Sequence, residues 1–458
     1  MRSLISSSLL ALPLLCFSCS GNLPERSARS LALPANYASV RDGNLELTPS
    51  LLGLFSDENL SRTVRLALSH NPDLKVAQSQ LSEAGFNLKK TRSGLFPEIA
   101  ASGSANRNQR ASNSNTFGGG QITNSFSADL DASWEVDVWG RIRSGVSASS
   151  ADHAAVAADY DDARQSLAAQ TMQAWFTLVA AEKSLDLDQR RVASFSKTTK
   201  LVNRRFEVGQ GNLADLELAR TDLSNAEADV QASRDERDQA ARRIQILTGR
   251  APDAKVAAQH WPSLHRSVPA GLPSDLLRKR PDVVAAYARI RAADALVKVA
   301  HADLFPSFVL TASGGRNSET LSDLARSSFD TWSLLANFSA PIFDAGQRRA
   351  ELGAAGQRAE QAFLRYQSTV LQALEEVENA LGSENYLARE ESRRLAALDA
   401  ARRATALTQR NYEAGTDDLL TLLEAQRRVF TTEQNTINLR ASRLSNRVAL
   451  ALALGKGV

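Results

Sequence analysis

The chain has 458 residues, 43% of them hydrophobic, with 54 basic residues against 51 acidic ones and a net charge of +3. That balance excludes a general polyanion binder, and no basic block interleaved with aromatics marks a nucleic-acid surface. The length allows one large domain or several small ones.

Arg2 precedes an apolar run from Leu4 to Phe17 that is too short and wrongly flanked for a spanning helix. Residues 1–18 are therefore expected to be a secretory signal. Its end, Leu15-Cys16-Phe17-Ser18-Cys19-Ser20, is similar to a bacterial lipoprotein signal, with small Ser18 before an acylated Cys19. It departs from that pattern at Cys16, which stands where a leucine is usual, and ordinary cleavage after Ser18 is the alternative. Ser20 after the cysteine fits sorting to the outer membrane. Either cleavage leaves one cysteine, so no intramolecular disulfide can form even in an oxidising compartment. Residues 19–60 are read as an N-terminal linker.

Residues 61–250 then give a distinct order of elements. A helical stretch ends at Phe96-Pro97, and a β-hairpin is expected over 98–138. Its second strand places Phe126, Ala128, Leu130, Ala132, Trp134, Val136 and Val138 at alternate positions, which makes one face apolar. The polar loop 106–124 separates this strand from its partner at 98–105. A long helix is expected over 141–206, where no proline occurs and Gly145 is the only glycine. At 1.5 Å per residue it spans roughly 99 Å. Gly209 and Gly211 mark a turn, and a helix over 212–248 runs back. Interspersed charges exclude these as membrane helices.

A linker over 251–272 follows, and the order then repeats over 273–458. Pro72 and Pro97 return as Pro281 and Pro306, shifted by 209. Gly140, Gly209 and Gly249 return as Gly346, Gly415 and Gly455, shifted by 206. A shift that changes by only three residues indicates a duplicated fold unit. The second copy is expected as a helix, a hairpin over 306–341, a long helix over 347–412 and a helix over 418–454. Trp332, Leu334, Ala336, Phe338 and Ala340 alternate along its last strand, and the loop 316–328 is polar.

The returning helices carry a spacing of seven, through Leu216, Leu223, Val230 and Ile244 with Arg237 interrupting, and through Leu423, Phe430, Ile437, Leu444 and Ala451. Such a stripe faces a partner helix as a pair supercoils. The fold class is therefore mainly α with a small β part. Four strands cannot close a pore. Three chains would give twelve, an even number that suits a membrane barrel. A soluble sheet packed on helices is the plainer alternative.

Nothing in the chain reads as catalytic, metal-binding or cofactor-binding. His70, His153, His260, His265 and His301 are scattered, and no Cys or carboxylate near His260 and His265 completes a metal set. Gly118-Gly119-Gly120 lacks the lysine of a phosphate loop.

The signal, the duplicated unit and the segments "ASWEVDVWGRIRS" (132–144), "APIFDAGQRRAEL" (340–352) and "YEAGTDDLLTLLEAQRRVF" (412–430) together resemble the outer-membrane efflux proteins, the TolC-like channels. Within them the lipoprotein branch (OprM/NodT-like) is the nearest match, and the resemblance covers about residues 55–457. It implies a homotrimer with a twelve-stranded barrel in the outer membrane, continued by a periplasmic α-helical barrel. It implies a passive duct working with a periplasmic adaptor and an inner-membrane pump, in small-molecule efflux of the multidrug-resistance type, and a palmitate-bearing Cys19. The turns at Gly209, Gly211, Gly415 and Thr416 would form the adaptor-docking tip. Glu424 and Asp215 match the acidic positions that narrow the periplasmic aperture, whereas Thr421 stands where some relatives carry a further Asp. The same features leave room for a type I protein secretion channel, or for a lipid-anchored coiled-coil structural protein.

Overall fold

The computed structural model describes residues 34–38, 50–109, 122–263 and 273–457. The signal with Cys16 and Cys19, the Gly118–Gly120 run and His265 lie outside them.

Each copy opens with a helix pair broken at an X-Pro step. Helices α1 (Glu58–His70) and α2 (Pro72–Ser93) meet at Asn71, and α5 (Leu276–Lys279) and α6 (Pro281–Ala302) meet at Arg280. Proline suits the first position of a helix, where its missing N–H would be unpaired anyway, while it forces the preceding residue out of the helical region. Asn71 caps α2 by accepting the Leu74 N–H at 3.0 Å.

Strands β1 (Glu98–Gln109), β2 (Ile122–Glu135), β3 (Ser307–Ser318) and β4 (Asp330–Ser339) form one antiparallel sheet in that order. Three of the four are longer than the alternation alone suggests, and they take up parts of the expected loops 106–124 and 316–328. Val136 and Val138 fall outside β2. There Asp137 accepts the backbone N–H groups of Ile142 (3.0 Å) and Arg143 (2.9 Å). Those bonds satisfy the start of the next helix and draw the chain out of the sheet.

The long helices α3 (Arg141–Glu207) and α7 (Gln347–Ala414) have 67 and 68 residues, about 100 Å each. The returning helices are α4 (Leu213–Leu247) and α8 (Leu419–Ala453). Their outermost expected residues are caps instead. Asn212 and Asp418 have extended backbones and accept the N–H of Asp215 and of Thr421, each at 2.7 Å. Helix α3 packs on α2 and α6 and also on α4 and α8, while α7 packs on α6 and α8.

The stripe of seven faces inward as the spacing requires. Leu216, Val230, Ile244, Leu423, Phe430, Leu444 and Ala451 are buried. Arg237 interrupts it because its guanidinium donates to the carbonyls of Ala254 (2.9 Å) and Val256 (3.3 Å) in the segment after α4.

The duplication reaches individual contacts. Among the described residues the six glycines with positive φ are the three pairs Gly140/Gly346, Gly209/Gly415 and Gly249/Gly455. Asn71 donates to the Leu247 carbonyl at 3.0 Å, and Arg280, its equivalent, donates to the Ala453 carbonyl at 3.1 Å.

Candidate functional site

Two features of the fold offer chemistry, and they sit at opposite ends of the long helices. The first is the sheet. Its pairing register places Ala101, Leu130, Gly314 and Trp332 in one row across the four strands, and Ile99, Ala132, Ala312 and Leu334 in another. All these lie on one face. Trp332 is 84% exposed and Leu334 72% exposed, so the apolar face is uncovered in a single chain. The opposite face carries Glu98, Ser102, Asp129, Asp131, Ser133, Thr311, Ser313 and Ser333, with Ala100, Val309 and Leu335 as apolar exceptions. Its side chains bond across strands, Ser102 to Asp131 at 2.8 Å and Ser313 to Ser333 at 2.8 Å. A sheet this divided can stand between water and hydrocarbon.

The second feature is the pair of turns joining the long helices to the returning ones. At the end of α3 the Gln210 N–H reaches back to the Arg205 carbonyl at 2.8 Å, and Gly209 N–H reaches Phe206 at 3.0 Å. At the end of α7 the Thr416 N–H reaches Asn411 at 3.0 Å, and Gly415 reaches Tyr412 at 3.1 Å. Both are helix stops that need a left-handed residue, and Gly209 (φ 73°) and Gly415 (φ 80°) supply it. Gly211 acts differently. A side chain there would press on the Phe206 backbone, 3.2 Å away. Thr416 adds a second bond to Asn411 through its hydroxyl, at 3.0 Å.

One hydrophobic cluster locks the two turns together. It contains Phe195 and Val202 of α3, Leu216 of α4, Tyr412 of α7, and Leu419, Leu422 and Leu423 of α8. Arg205 crosses between the copies. Its guanidinium donates to the Tyr412 carbonyl at 2.5 Å and lies 4.4 Å from the Tyr412 ring centre. The contact satisfies a carbonyl at the end of α7 and places positive charge at the helix end that favours it. Burial raises the pKa of the Tyr412 hydroxyl, with the Asp215 charge adding to it and Arg205 opposing. Below this, Arg427 of α8 grips Asp222 of α4 at 2.7 and 2.9 Å. Neither arginine is distinguishable in sequence, because each meets its partner across roughly two hundred residues.

The two acidic residues expected at the aperture sit in different settings. Asp215 lies in the first turn of α4 and accepts from the Asn212 side chain at 3.0 Å, where a carboxylate favours the helix start. Thr421 occupies the equivalent position in α8, and the acid there is the cap, Asp418. The bonds from Thr421 hold the Asp418 carboxyl below its ordinary pKa. Glu424 is 60% exposed and pairs with Arg428 one turn along at 3.0 Å. Within one chain the two acids are engaged on their own helices and do not form a joint site. The turns also expose Val208, Leu213 and Leu420, apolar residues that the sequence reading did not single out.

Among the described residues no group of three or more His, Cys, Asp and Glu could hold a metal ion, and no helix is long and apolar enough to cross a membrane.

A family model described as outer membrane efflux protein matches residues 63–250 and again 272–456, one match per copy. The chain is 29% identical over 437 residues to a protein of Pseudomonas putida named "Probable efflux pump outer membrane protein TtgC", covering 95% of this chain and 89% of that one. It is 29% identical to the Escherichia coli "Cation efflux system protein CusC", covering 95% of each. Among solved structures, the Campylobacter jejuni CmeC outer membrane channel superposes with a TM-score of 0.86 at 27% identity, covering 93% of this chain and 94% of that one.

Proposed function

The chain belongs to the outer membrane efflux protein family, and on that premise we propose that it is the exit duct of a tripartite efflux system. Three copies close one twelve-stranded barrel in the outer membrane. Their long helices form a tube through the periplasm, and the turns at Gly209, Gly211, Gly415 and Thr416 dock a periplasmic adaptor beneath which an inner-membrane pump works. The duct is passive, performs no catalysis and leaves the choice of cargo to the pump. The observation that carries this reading is the two-faced sheet with both edges open. A membrane tolerates no unpaired strand edge, and closure through further copies removes it.

The exposed apolar side chains at the turns fit the adaptor role. Val208, Leu213 and Leu420 are solvent-exposed although the cluster behind them is well packed. The test is current across a planar bilayer. Purified protein is expected to give discrete channel conductance, and its absence would leave a lipid-anchored structural protein as the better description.

Glu424 is proposed to face the tube axis. Three copies of one exposed carboxylate around an axis attract cations when the passage is narrow. Glu424→Ala is therefore expected to weaken block by millimolar trivalent cations on the periplasmic side at least several-fold and to reduce cation selectivity. Asp215→Ala serves as the matched variant, with a smaller effect because Asn212 already holds that carboxylate. Unchanged block in Glu424→Ala would place the side chain off the axis.

Cys19, outside the described residues, is proposed to carry the lipid. Cys19→Ala is expected to abolish metabolic labelling by palmitate, and persistent labelling would point to Cys16 instead. A single acyl chain binds a membrane only marginally, so the barrel is expected to keep the variant membrane-bound once inserted.

A further inference from the structure

A cavity of about 410 Å³ opens where α3 passes the start of α6. Its wall carries Asp161, Arg164 and Gln165 of α3, Arg278 and Lys279 of α5, and Pro281 at the first position of α6. Neither the duct nor its tip uses this place.

Three bases face one acid in that wall. The carboxylates beside them are already engaged. Asp161 lies 3.9 Å from Arg164, and Asp275 pairs with Lys279 at 2.8 Å and with Arg278 at 4.0 Å. Close by, burial and then the Lys279 charge lower the pKa of the Lys456 ammonium, with Asp275 opposing. Positive charge is crowded against positive charge there, and an anion relieves that crowding.

The helix start adds to the effect. Asn71 caps α2, but Arg280, its equivalent, turns its guanidinium to Asp282, Glu376 and the Ala453 carbonyl instead. Helix α6 therefore begins without a side-chain cap, and the positive end of its dipole stands at the cavity. The wall also holds an acceptor. The side-chain oxygen of Gln165 is buried and has no hydrogen-bond partner. Leaving a buried acceptor unpaired is costly, and an N–H from a ligand satisfies it.

The duplication shows that the fold does not require these groups. At the positions that the repeat makes equivalent, Arg164, Gln165, Arg278 and Lys279 are replaced by Val370, Leu371, Ser69 and His70.

We propose that this cavity binds the carboxyl end of a peptide. The carboxylate lies among Arg164, Arg278 and Lys279, where a guanidinium can hold both oxygens at once. The last amide N–H of the peptide donates to the Gln165 oxygen. An inorganic anion would match the bases but fill little of the cavity and leave Gln165 without a donor. A phospholipid headgroup is out of reach, because the 22 residues of α6 place the cavity roughly 33 Å from the sheet. That exclusion rests on the reading that the sheet stands in the outer membrane, and the binding itself does not.

The test titrates the intact detergent-solubilised protein with N-acetyl-alanyl-alanine, with its carboxamide and with inorganic phosphate, followed by ligand-observed NMR. The free acid is expected to bind at least tenfold more tightly than either of the others. Arg278→Ser and Lys279→His install the residues of the other copy, and together they are expected to weaken the acid at least tenfold. Arg278 has an 85% exposed side chain, so its replacement does not endanger the fold. Gln165→Leu is expected to weaken the acid several-fold and leave phosphate unchanged. Equal binding of acid and carboxamide overturns the proposal, and so does acid binding that ignores all three substitutions. Phosphate binding as tight as the acid's removes the peptide assignment. Acid binding that appears only once Val458 is deleted gives the cavity to the chain's own end and has the same consequence. Channel conductance of the same preparation separates the two readings. Protein that conducts but binds no acid lacks the site and keeps the duct, whereas protein that binds the acid without conducting keeps the site and loses the duct.

Discussion

Arg280→Ala is expected to destabilise the folded chain by about 2–4 kcal/mol. Arg280 is almost wholly buried at the junction of α5 and α6. It bonds Asp282 at 2.7 Å, Glu376 of α7 at 2.7 Å and the last-turn carbonyl of Ala453 in α8 at 3.1 Å. Removing it leaves two carboxylates without their counter-charge and a buried carbonyl without its donor. The carboxylates keep partial access to water, which places the cost below that of a fully dry pair. Arg280→Asn is the informative companion. Asn71, its equivalent, makes the same bond to Leu247 with an amide, so the asparagine is expected to recover the carbonyl bond but not the carboxylates. Denaturation midpoints of the detergent-solubilised protein should rank wild type above Asn above Ala. Equal midpoints for all three would mean that Arg280 is dispensable to the packing of α6 against the helix ends.

Gly415→Val is expected to abolish efflux while leaving the amount of protein and its oligomeric state in the membrane unchanged. At φ 80° a β-branched residue costs roughly 1–3 kcal/mol. No atom lies within 4 Å of where its Cβ would stand, so the penalty is conformational and not a clash. The chain can relieve it by giving up the bonds from Gly415 and Thr416 to the end of α7, which moves the turn and with it the carbonyls that Arg205 holds. The long helices, packed along their whole length, have no reason to unfold. Gly415→Asn is expected to retain function, because asparagine tolerates the left-handed region. The measurement is resistance to exported compounds in cells lacking the wild-type protein, with surface abundance as the control. Wild-type resistance in Gly415→Val would remove this turn from the docking tip.

The duplication, the order of elements, the hairpins with one apolar face, the heptad stripe and the glycine turns were legible in the sequence. Each is a local or periodic property. A strand shows its faces through alternation, a long helix shows its extent through missing prolines, and a repeat declares itself by a constant shift. The strand ends were not legible in the same way, because Asp137 ends β2 by capping the helix after it.

The contacts that join the copies lay beyond sequence reading altogether. Arg205 on Tyr412 and Arg427 on Asp222 cross between the copies, and Arg280 on Glu376 joins two helices within the second; all link residues that stand far apart in the chain. Arginines with no distinguishing context acquire partners only when the helices pack, so no spacing rule could have chosen them from the chain's other basic residues. The settings of Asp215 and Glu424 were decided there too. The sequence marked both as acidic residues near a turn. The tertiary structure made one a helix-start carboxylate held by Asn212 and left the other exposed beside Arg428, since a side chain's neighbours depend on which helix face the packing covers.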